Sequence, residues 1–292
     1  MAEHSTDAII QPDLPSIDPE VDRKTRIQDF PWWFVALILI AIFAGFTIIT
    51  NTNYRDAFDF IRIGLKITIQ TSLISYMIAL LIGLLAGLGR ISSNIFIKNA
   101  ARLYVELIRG IPMLVLIFFI ALVGVPIAVD SINSFGLWLG TIGLEGASSA
   151  FSLFSNQSIP MNVRAIVALS VTYGAFLAEI FRAGIQSIGR GQTEAARSLG
   201  MSLGQAMRFV ILPQAVRNVL PALGNDFVAM VKDSSLVSVL AVRDITQVAR
   251  LYSGSTFRFR EAYVTLSVMY LTMTVILSMV VQAIERRLRK ND

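Results

Sequence analysis

Residues 191–214 read Gly-Gln-Thr-Glu-Ala-Ala-Arg-Ser-Leu-Gly-Met-Ser-Leu-Gly-Gln-Ala-Met-Arg-Phe-Val-Ile-Leu-Pro-Gln, a polar-faced, helix-forming stretch set between two long apolar runs. Gly189 and Gly191 flank Arg190 and interrupt any preceding helix, since glycine costs about 1 kcal/mol relative to alanine inside one. Gln192 to Leu199 reads as a short helix, with Ala195, Ala196 and Leu199 on one side and Glu194, Arg197 and Ser198 elsewhere. Gly200 stands where a helix ends on a left-handed residue, which glycine adopts without a Cβ clash. Ser202 and Gln205 have capping-box spacing for a second short helix running to Leu212. Pro213 then opens a further helix, where a missing N–H does no harm. Two short helices joined at a glycine bend make a knob, not a membrane span. Its Ala195–Ala196 face is small enough for another protein's groove to close on it, and an ordinary amphipathic loop on the membrane surface would show much of the same pattern.

The apolar runs on either side define the rest. The chain has 292 residues, of which 54% are hydrophobic and 15% charged; soluble domains carry about 25% charged residues. This composition is that of an integral membrane protein with several spans of about 20 residues. There is no cysteine and the one histidine is His4, so thiolate or histidine metal sites, disulfides and a histidine-based catalytic triad are excluded. The net charge of +5 is spread over loops between apolar runs, which fits membrane orientation and anionic lipid better than nucleic-acid binding.

Residues 1–30 are polar and mostly acidic, with Pro12, Pro15 and Pro19, and read as a disordered cytoplasmic tail. The expected spans are 31–50, with Trp32 and Trp33 suited to an interfacial belt, then 67–89, 110–129, 163–185, 213–231 and 262–284. The second is rich in small residues (Ser72, Ser75, Ala79, Gly83, Ala86, Gly87) that permit close helix packing. The connection 130–162 is Ser/Gly/Asn-rich and lacks Lys and Arg, which places it outside, with an interfacial hairpin around Trp138. Pro221 and Gly224 are expected to break the fifth span. Six spans put both termini in the cytoplasm and satisfy most of the charge bias. The exception is 232–260, placed outside yet carrying Lys232, Arg243, Arg250, Arg258 and Arg260 against Asp233 and Asp244; Leu236 to Leu251 reads there as a short external helix.

The run Glu194-Ala195-Ala196, with Gly200 six residues after Glu194 and Val210-Ile211-Leu212-Pro213-Gln214-Ala215 beyond, resembles the EAA loop of ABC importer permeases. Three further stretches are similar to the polar amino acid branch, the histidine/glutamine-permease type: Tyr104-Val105-Glu106-Leu107-Ile108-Arg109-Gly110-Ile111-Pro112, Gly174-Ala175-Phe176-Leu177-Ala178-Glu179-Ile180-Phe181-Arg182 and Lys232-Asp233-Ser234-Ser235-Leu236. They occur in the family's order, and with the C-terminal Glu285-Arg286-Arg287 the resemblance covers roughly residues 60–290. It implies an all-α, polytopic permease of about six transmembrane helices: an added N-terminal helix over 31–51, then a permease core over 60–292 with its coupling loop at about 189–212. The 130–162 connection is longer than the family usually shows. By the same resemblance, Glu194, Ala195, Ala196, Leu199 and Gly200 couple to an ATP-binding partner that holds ATP and Mg²⁺. An extracellular or periplasmic solute-binding protein delivers a polar amino acid, and a second permease subunit completes the path through the bacterial inner membrane. The chain itself has no G-x-x-x-x-G-K-[ST] phosphate loop, so it is a transport subunit and not the ATPase.

Charges inside a span cost about 2.5–3.5 kcal/mol on insertion scales and need a reason to be there. Glu179, Asn225 and Asp226 are candidates for a translocation path, where carboxylates meet the ammonium of a zwitterion and broken helix ends meet its carboxylate. Glu179 reads rather more readily as an ion pair with Arg182 at i+3, and Asp226 equally as a cap or helix–helix hydrogen bond. Lys232, Asp233 and Ser234 end the fifth span as a gate or as a simple cap. The rival from another class is a secondary transporter driven by an ion gradient, which would use Glu179 and Asp226 as ion sites but leaves the knob unexplained. An intramembrane enzyme has no catalytic set in this sequence.

Overall fold

The computed structural model describes residues 32–152 and 155–289, and every regular element among them is helical. The expected tail over 1–30 lies outside the described residues. The chain divides into two compact units, Met1–Phe46 and Thr47–Asp292. The described part of the first belongs to α1 (Trp32–Thr50), whose side chains are mostly apolar and exposed, as in a helix facing lipid.

The second unit begins with α2 (Thr52–Ile61), a 3₁₀ turn at Arg62–Gly64 and α3 (Leu65–Arg90). Next come α4 (Ile95–Gly110), α5 (Met113–Phe119), a π turn at Ile120–Gly124, α6 (Val125–Thr141) and α7 (Glu145–Ser152). The central helix α8 (Met161–Gln186) leads to α9 (Arg190–Ser198), α10 (Leu203–Ala206), a π turn at Met207–Ile211 and α11 (Leu212–Asp233). A 3₁₀ segment over Ser234–Leu240, α12 (Ile245–Thr256) and α13 (Phe259–Arg289) finish the chain. Four helices are long and apolar enough to cross a membrane among the described residues: Thr52–Arg90, Met113–Thr141, Met161–Gln186 and Phe259–Arg287. Helix α11 has 22 residues, about 33 Å at 1.5 Å per residue, so it is long enough to cross but more polar.

The core is the parallel pair α3 and α8. The buried stripe of α3, Thr68, Ser72, Ser75, Ala79, Gly83 and Gly87, recurs every three or four residues and leaves room for a second backbone. A Cβ at Gly83 would lie 2.5 Å from Leu177 Cβ, and one at Gly87 2.9 Å from Ala178 O. The Ser170 hydroxyl donates to Ser75 O at 3.2 Å, tying the helices where apolar packing alone would slide. Helix α11 packs antiparallel to α8, and Gly184 faces Val219 so closely that no side chain fits between them.

Three local expectations are corrected. The connection expected over 130–162 starts later than Asp130: α5, the π turn and α6 run on to Thr141, and α7 folds back after Gly143 (φ +86°), so that the expected hairpin around Trp138 is a helical one. Its serines misled because they satisfy themselves within the helix. Ser131 donates to Ile127 O at 2.7 Å and Ser134 to Asp130 O at 2.8 Å, the i−4 bonds open to a helical serine. Gly136 allows the α6–α7 hairpin to close, with a Cβ there only 2.7 Å from Phe151 Cβ. Second, neither Pro221 nor Gly224 breaks α11, which is continuous from Leu212 to Asp233; Gly224 instead admits Val281 of α13. Pro213, by contrast, stands in the first turn of α11 as expected, where a missing N–H does no harm, directly after the π turn at Met207–Ile211. Third, the expected helix from Leu236 to Leu251 is two pieces. Ala241 takes a left-handed conformation (φ 57°) and Asp244 caps a new helix, accepting from the Gln247 N–H at 2.9 Å.

Asp244 is fully buried between the start of α12 and the start of α3, where Thr68 Oγ1 accepts from the Ile245 N–H at 3.1 Å. Burial pushes its carboxyl up to about 6, with the capping hydrogen bonds opposing. A folded-state value above the ordinary one near 3.9 means the folded protein holds this proton more tightly. The stabilisation is therefore complete below about pH 4 and lost as the pH rises through 6. Asp244→Asn keeps a capping oxygen and cannot ionise. It is expected to match the wild type in thermal melting at pH 4 and exceed it by about 2–3 kcal/mol at pH 7.5.

Candidate functional site

The knob is built as its sequence directs. Helix α9 ends in a Schellman arrangement: the Met201 N–H donates to Ala196 O at 3.2 Å and the Gly200 N–H to Arg197 O at 3.0 Å. Gly200 has φ +82°, with no heavy atom within 4 Å of where a Cβ would stand. The requirement for glycine here is thus one of backbone conformation alone. Ser202 and Gln205 form the reciprocal capping box, at 3.2 and 2.8 Å.

The surface differs in one respect from the expected Ala-Ala face. Ala196 is buried, while Glu194, Ala195 and Gly200 are exposed. The two alanines are about 100° apart on the helix, so one faces the chain's own body and the other faces out. What the knob presents beside Ala195 is Leu199, 81% exposed, and Leu203, 67% exposed. Leu203 was missed by the sequence reading; an apolar residue at the first position after a capping serine, on a polar segment, was its signal.

Behind the knob lies an ion cluster. Glu179 of α8 is paired with both Arg90 at the end of α3 and Arg182 one turn on, and Arg90 reaches Glu106 of α4 at 3.8 Å. Arg182 also donates to Gln186. The Arg109 guanidinium stands over the Phe176 ring, 6.0 Å from its centre. Two of the motif stretches, 104–112 and 174–182, thereby meet. Tyr104 completes the joint by donating to Val171 O at 2.6 Å. Removing one partner of such a cluster leaves the others uncompensated, which costs more than the pairing gains.

A second polar group lies nearer the other end of α8 and α11. Tyr173 donates to Asp233 Oδ2 at 2.6 Å, and Tyr76 of α3 donates to Leu223 O at 2.6 Å with its ring against Phe227. Asp226 is half-buried, and its Oδ2 has no hydrogen-bond partner among the described residues. Asp226 and Asp233 are seven residues apart, two turns along one face of α11. The structure thus brings Asp226 and Asp233 together with two tyrosines that sequence reasoning did not single out, and does not bring Glu179 to them. Asn225 and Lys232 are exposed. Ser234 is buried and donates to Val231 O at 2.8 Å, which accounts for its hydroxyl as a helix-end bond.

Residues 79–290 match the family described as binding-protein-dependent transport system inner membrane component. The chain is 36% identical over 236 residues to the probable glutamine ABC transporter permease protein GlnM of Bacillus subtilis, covering 81% of this chain and 96% of that one. It is 32% identical over 226 residues to the glutamine transport system permease protein GlnP of Escherichia coli K12, covering 77% and 91%. Among solved structures, an amino acid ABC transporter crystallised with histidines superimposes with a TM-score of 0.64 at 36% identity, over 82% of this chain and 98% of that one. The methionine ABC transporter MetNI shares the fold, with a TM-score of 0.56 at 19% identity. With its all-helical membrane fold, its glycine-bent knob and a match over most of its length, the chain belongs to the family of binding-protein-dependent transport system inner membrane components, the membrane-spanning permease subunits of ABC importers.

Proposed function

We propose that this permease moves a polar amino acid inward by alternating access, driven by ATP hydrolysis on a partner subunit that grips the knob over 190–206. The observation that carries the reading is the knob itself. Glycine-bent and doubly capped, it holds Leu199 and Leu203 out into solvent. Exposed leucines on a rigid, otherwise polar protrusion are suited to a hydrophobic cleft on another protein.

ATP and Mg²⁺ belong to that partner. The knob faces the cytoplasm and both termini lie on that side. A second permease subunit closes the path, and a solute-binding protein delivers substrate on the opposite face. Substrate passes along the α3–α8–α11 junction, where the carboxylates of Asp226 and Asp233 attract its ammonium group and Tyr76 and Tyr173 supply hydroxyls. The Glu179–Arg90–Arg182 cluster, at the root of the knob, makes the ends of α3, α4 and α8 move with it. The relatives named for glutamine suggest a side chain of that size and polarity.

The test is purification of the complex in mild detergent, comparing wild type with Leu199→Asp/Leu203→Asp. Burying a leucine side chain is worth about 1.5–3 kcal/mol, so the ATPase should copurify with wild type and be reduced more than about tenfold in the variant. Both leucines are exposed, so insertion and melting should not change. Equal ATPase recovery from wild type and variant would remove the knob as the docking element.

A further inference from the structure

The α6–α7 hairpin starts where the central helix α8 begins and runs on past it. Arg164, buried in the first turn of α8, donates to Ala121 O of the π turn and to Ile159 O, each at 3.2 Å, and to Asn156 O. The π turn is thereby held level with the end of α8 opposite the knob, and α6 extends beyond that level. From Met113 to Thr141 the helix is apolar and unbroken over 29 residues. At 1.5 Å per residue that is about 44 Å, against a hydrocarbon core of about 30 Å. Even at a tilt of about 20°, about 11 Å of it lies beyond the core. The hairpin is pinned at its base as well, where Asn156 Nδ2 donates to Asp130 Oδ1 at 3.0 Å.

An element placed beyond the core should be polar outside, and this one is not. Helix α6 buries only Val125, Val129 and Gly136, and α7 closes on Gly136 and Gly140. Outside that seam stand Phe135, Leu137, Trp138, Ile142 and Leu144, with Leu137 66% and Trp138 55% exposed. Leu137 and Trp138 are neighbours about 100° apart on the helix, so the apolar exterior is wider than one face. The Phe135 ring stacks on Trp138 with centres 5.7 Å apart and meets Phe151 edge-on at 5.9 Å. The hydroxyls turn inward: Ser131 donates to Ile127 O, Ser134 to Asp130 O and Thr141 to Trp138 O, at 2.7, 2.8 and 2.7 Å. Polar groups that satisfy themselves on their own backbone suit surroundings without water.

The charge pattern selects among the possible covers. No Lys or Arg occurs between Arg109 and Arg164, so the hairpin has no cation with which to steer an acidic protein surface. A helix apolar on several sides needs covering on several sides, which a bilayer provides and a single protein face does not. The exposed apolar side chains of the preceding span, Phe118, Phe119 and Leu122, lead into it along the same helix. A tryptophan stacked on phenylalanine at the end of such a span is the composition of the membrane–water interface.

We infer that the α6–α7 hairpin is a lipid anchor, lying in the interface of the leaflet opposite the knob with Leu137, Trp138 and Ile142 against the upper acyl chains. Through Arg164 the anchor holds that end of α8 at a fixed depth. The inference goes beyond the importer reading, which serves only to call this leaflet the outer one.

The chain has no cysteine, so Trp138→Cys and Ile142→Cys each carry its only thiol, with the exposed Gln157→Cys as the aqueous reference. In native membrane fragments open on both faces, a charged maleimide should label both hairpin cysteines at least about tenfold more slowly than the reference, because apolar surroundings disfavour the reactive thiolate. The photoreactive residue p-benzoylphenylalanine placed at Leu137 should then yield adducts to phospholipid, read as a mass increase of the hairpin peptide. Hairpin cysteines that label as fast as the reference would put the hairpin in water and overturn the inference. Adducts only to a soluble protein or to a second copy of this chain, or no lipid adduct at all, would overturn it too. Neither readout involves the ATPase, so failure of the importer reading leaves the anchor standing, and failure of the anchor leaves that reading untouched.

Discussion

Gly200→Val should reduce transport by about one to two orders of magnitude while leaving the amount of inserted protein unchanged. Gly200 takes φ +82° with open space around it, so valine meets no neighbour and acts only through the backbone. A β-branched residue is strongly disfavoured in the left-handed region. Relaxing it breaks the bonds from Gly200 N to Arg197 O and from Met201 N to Ala196 O that fix the angle between α9 and α10. Each 1.4 kcal/mol of lost docking is a factor of ten. Gly200→Asn is the informative control, because asparagine tolerates this conformation far better and should retain most of the coupling. The measurement is substrate-stimulated ATP hydrolysis by the reconstituted complex. Wild-type stimulation in Gly200→Val would sink the bend as a coupling element.

Asp226→Asn is expected to lower uptake or shift its substrate preference by about tenfold or more, without weakening recovery of the ATPase. The half-buried Asp226 has an oxygen left unpartnered among the described residues, one helix face along from Asp233, which Tyr173 already engages. A carboxylate kept in that position offers a charged acceptor to a passing ammonium group, worth about 1.5–3 kcal/mol for a charged hydrogen bond. Asparagine keeps the size and loses the charge. Zwitterionic substrates should suffer most, and concentration-dependent uptake by proteoliposomes shows the effect directly. Unaltered uptake, or loss of the folded protein, would remove Asp226 from the path.

The knob was legible from sequence because its determinants are local. The left-handed glycine and the Ser-x-x-Gln box each act within a few residues and form as expected, whereas the second short helix, expected to reach Leu212, ends at Ala206 and gives way to a π turn. The same locality explains the misreadings. Serines and glycines over 130–152 signal a loop when read singly. In the structure Ser131 and Ser134 bond back to their own helix, and Gly136 and Gly140 are where α6 and α7 touch. Pro221 signals a break, but α11 runs through it without one. Ala195 and Ala196 read as one face until the chain's own packing turned Ala196 inward.

What sequence could not supply was long-range pairing. Glu179 stood open as a path residue or an ion-pair partner of Arg182. It pairs with Arg182 and also with Arg90, 89 residues away. Tyr76 and Tyr173 lay unremarked in apolar spans until folding set them beside α11. The excess of arginine over 232–260 was visible as a conflict with the orientation rule. Only the structure shows that Asp244 is buried and that Asp233 is engaged by Tyr173, which leaves Arg243, Arg250 and Arg260 exposed.

The most direct measurement is uptake of labelled glutamine into proteoliposomes containing the purified complex, with ATP on the knob side and the solute-binding protein on the other. Uptake that requires hydrolysable ATP and persists when proton and sodium gradients are collapsed is the expected result. Uptake that ignores ATP and disappears with the gradient would contradict the ATP-driven mechanism and leave an ion-coupled carrier in its place.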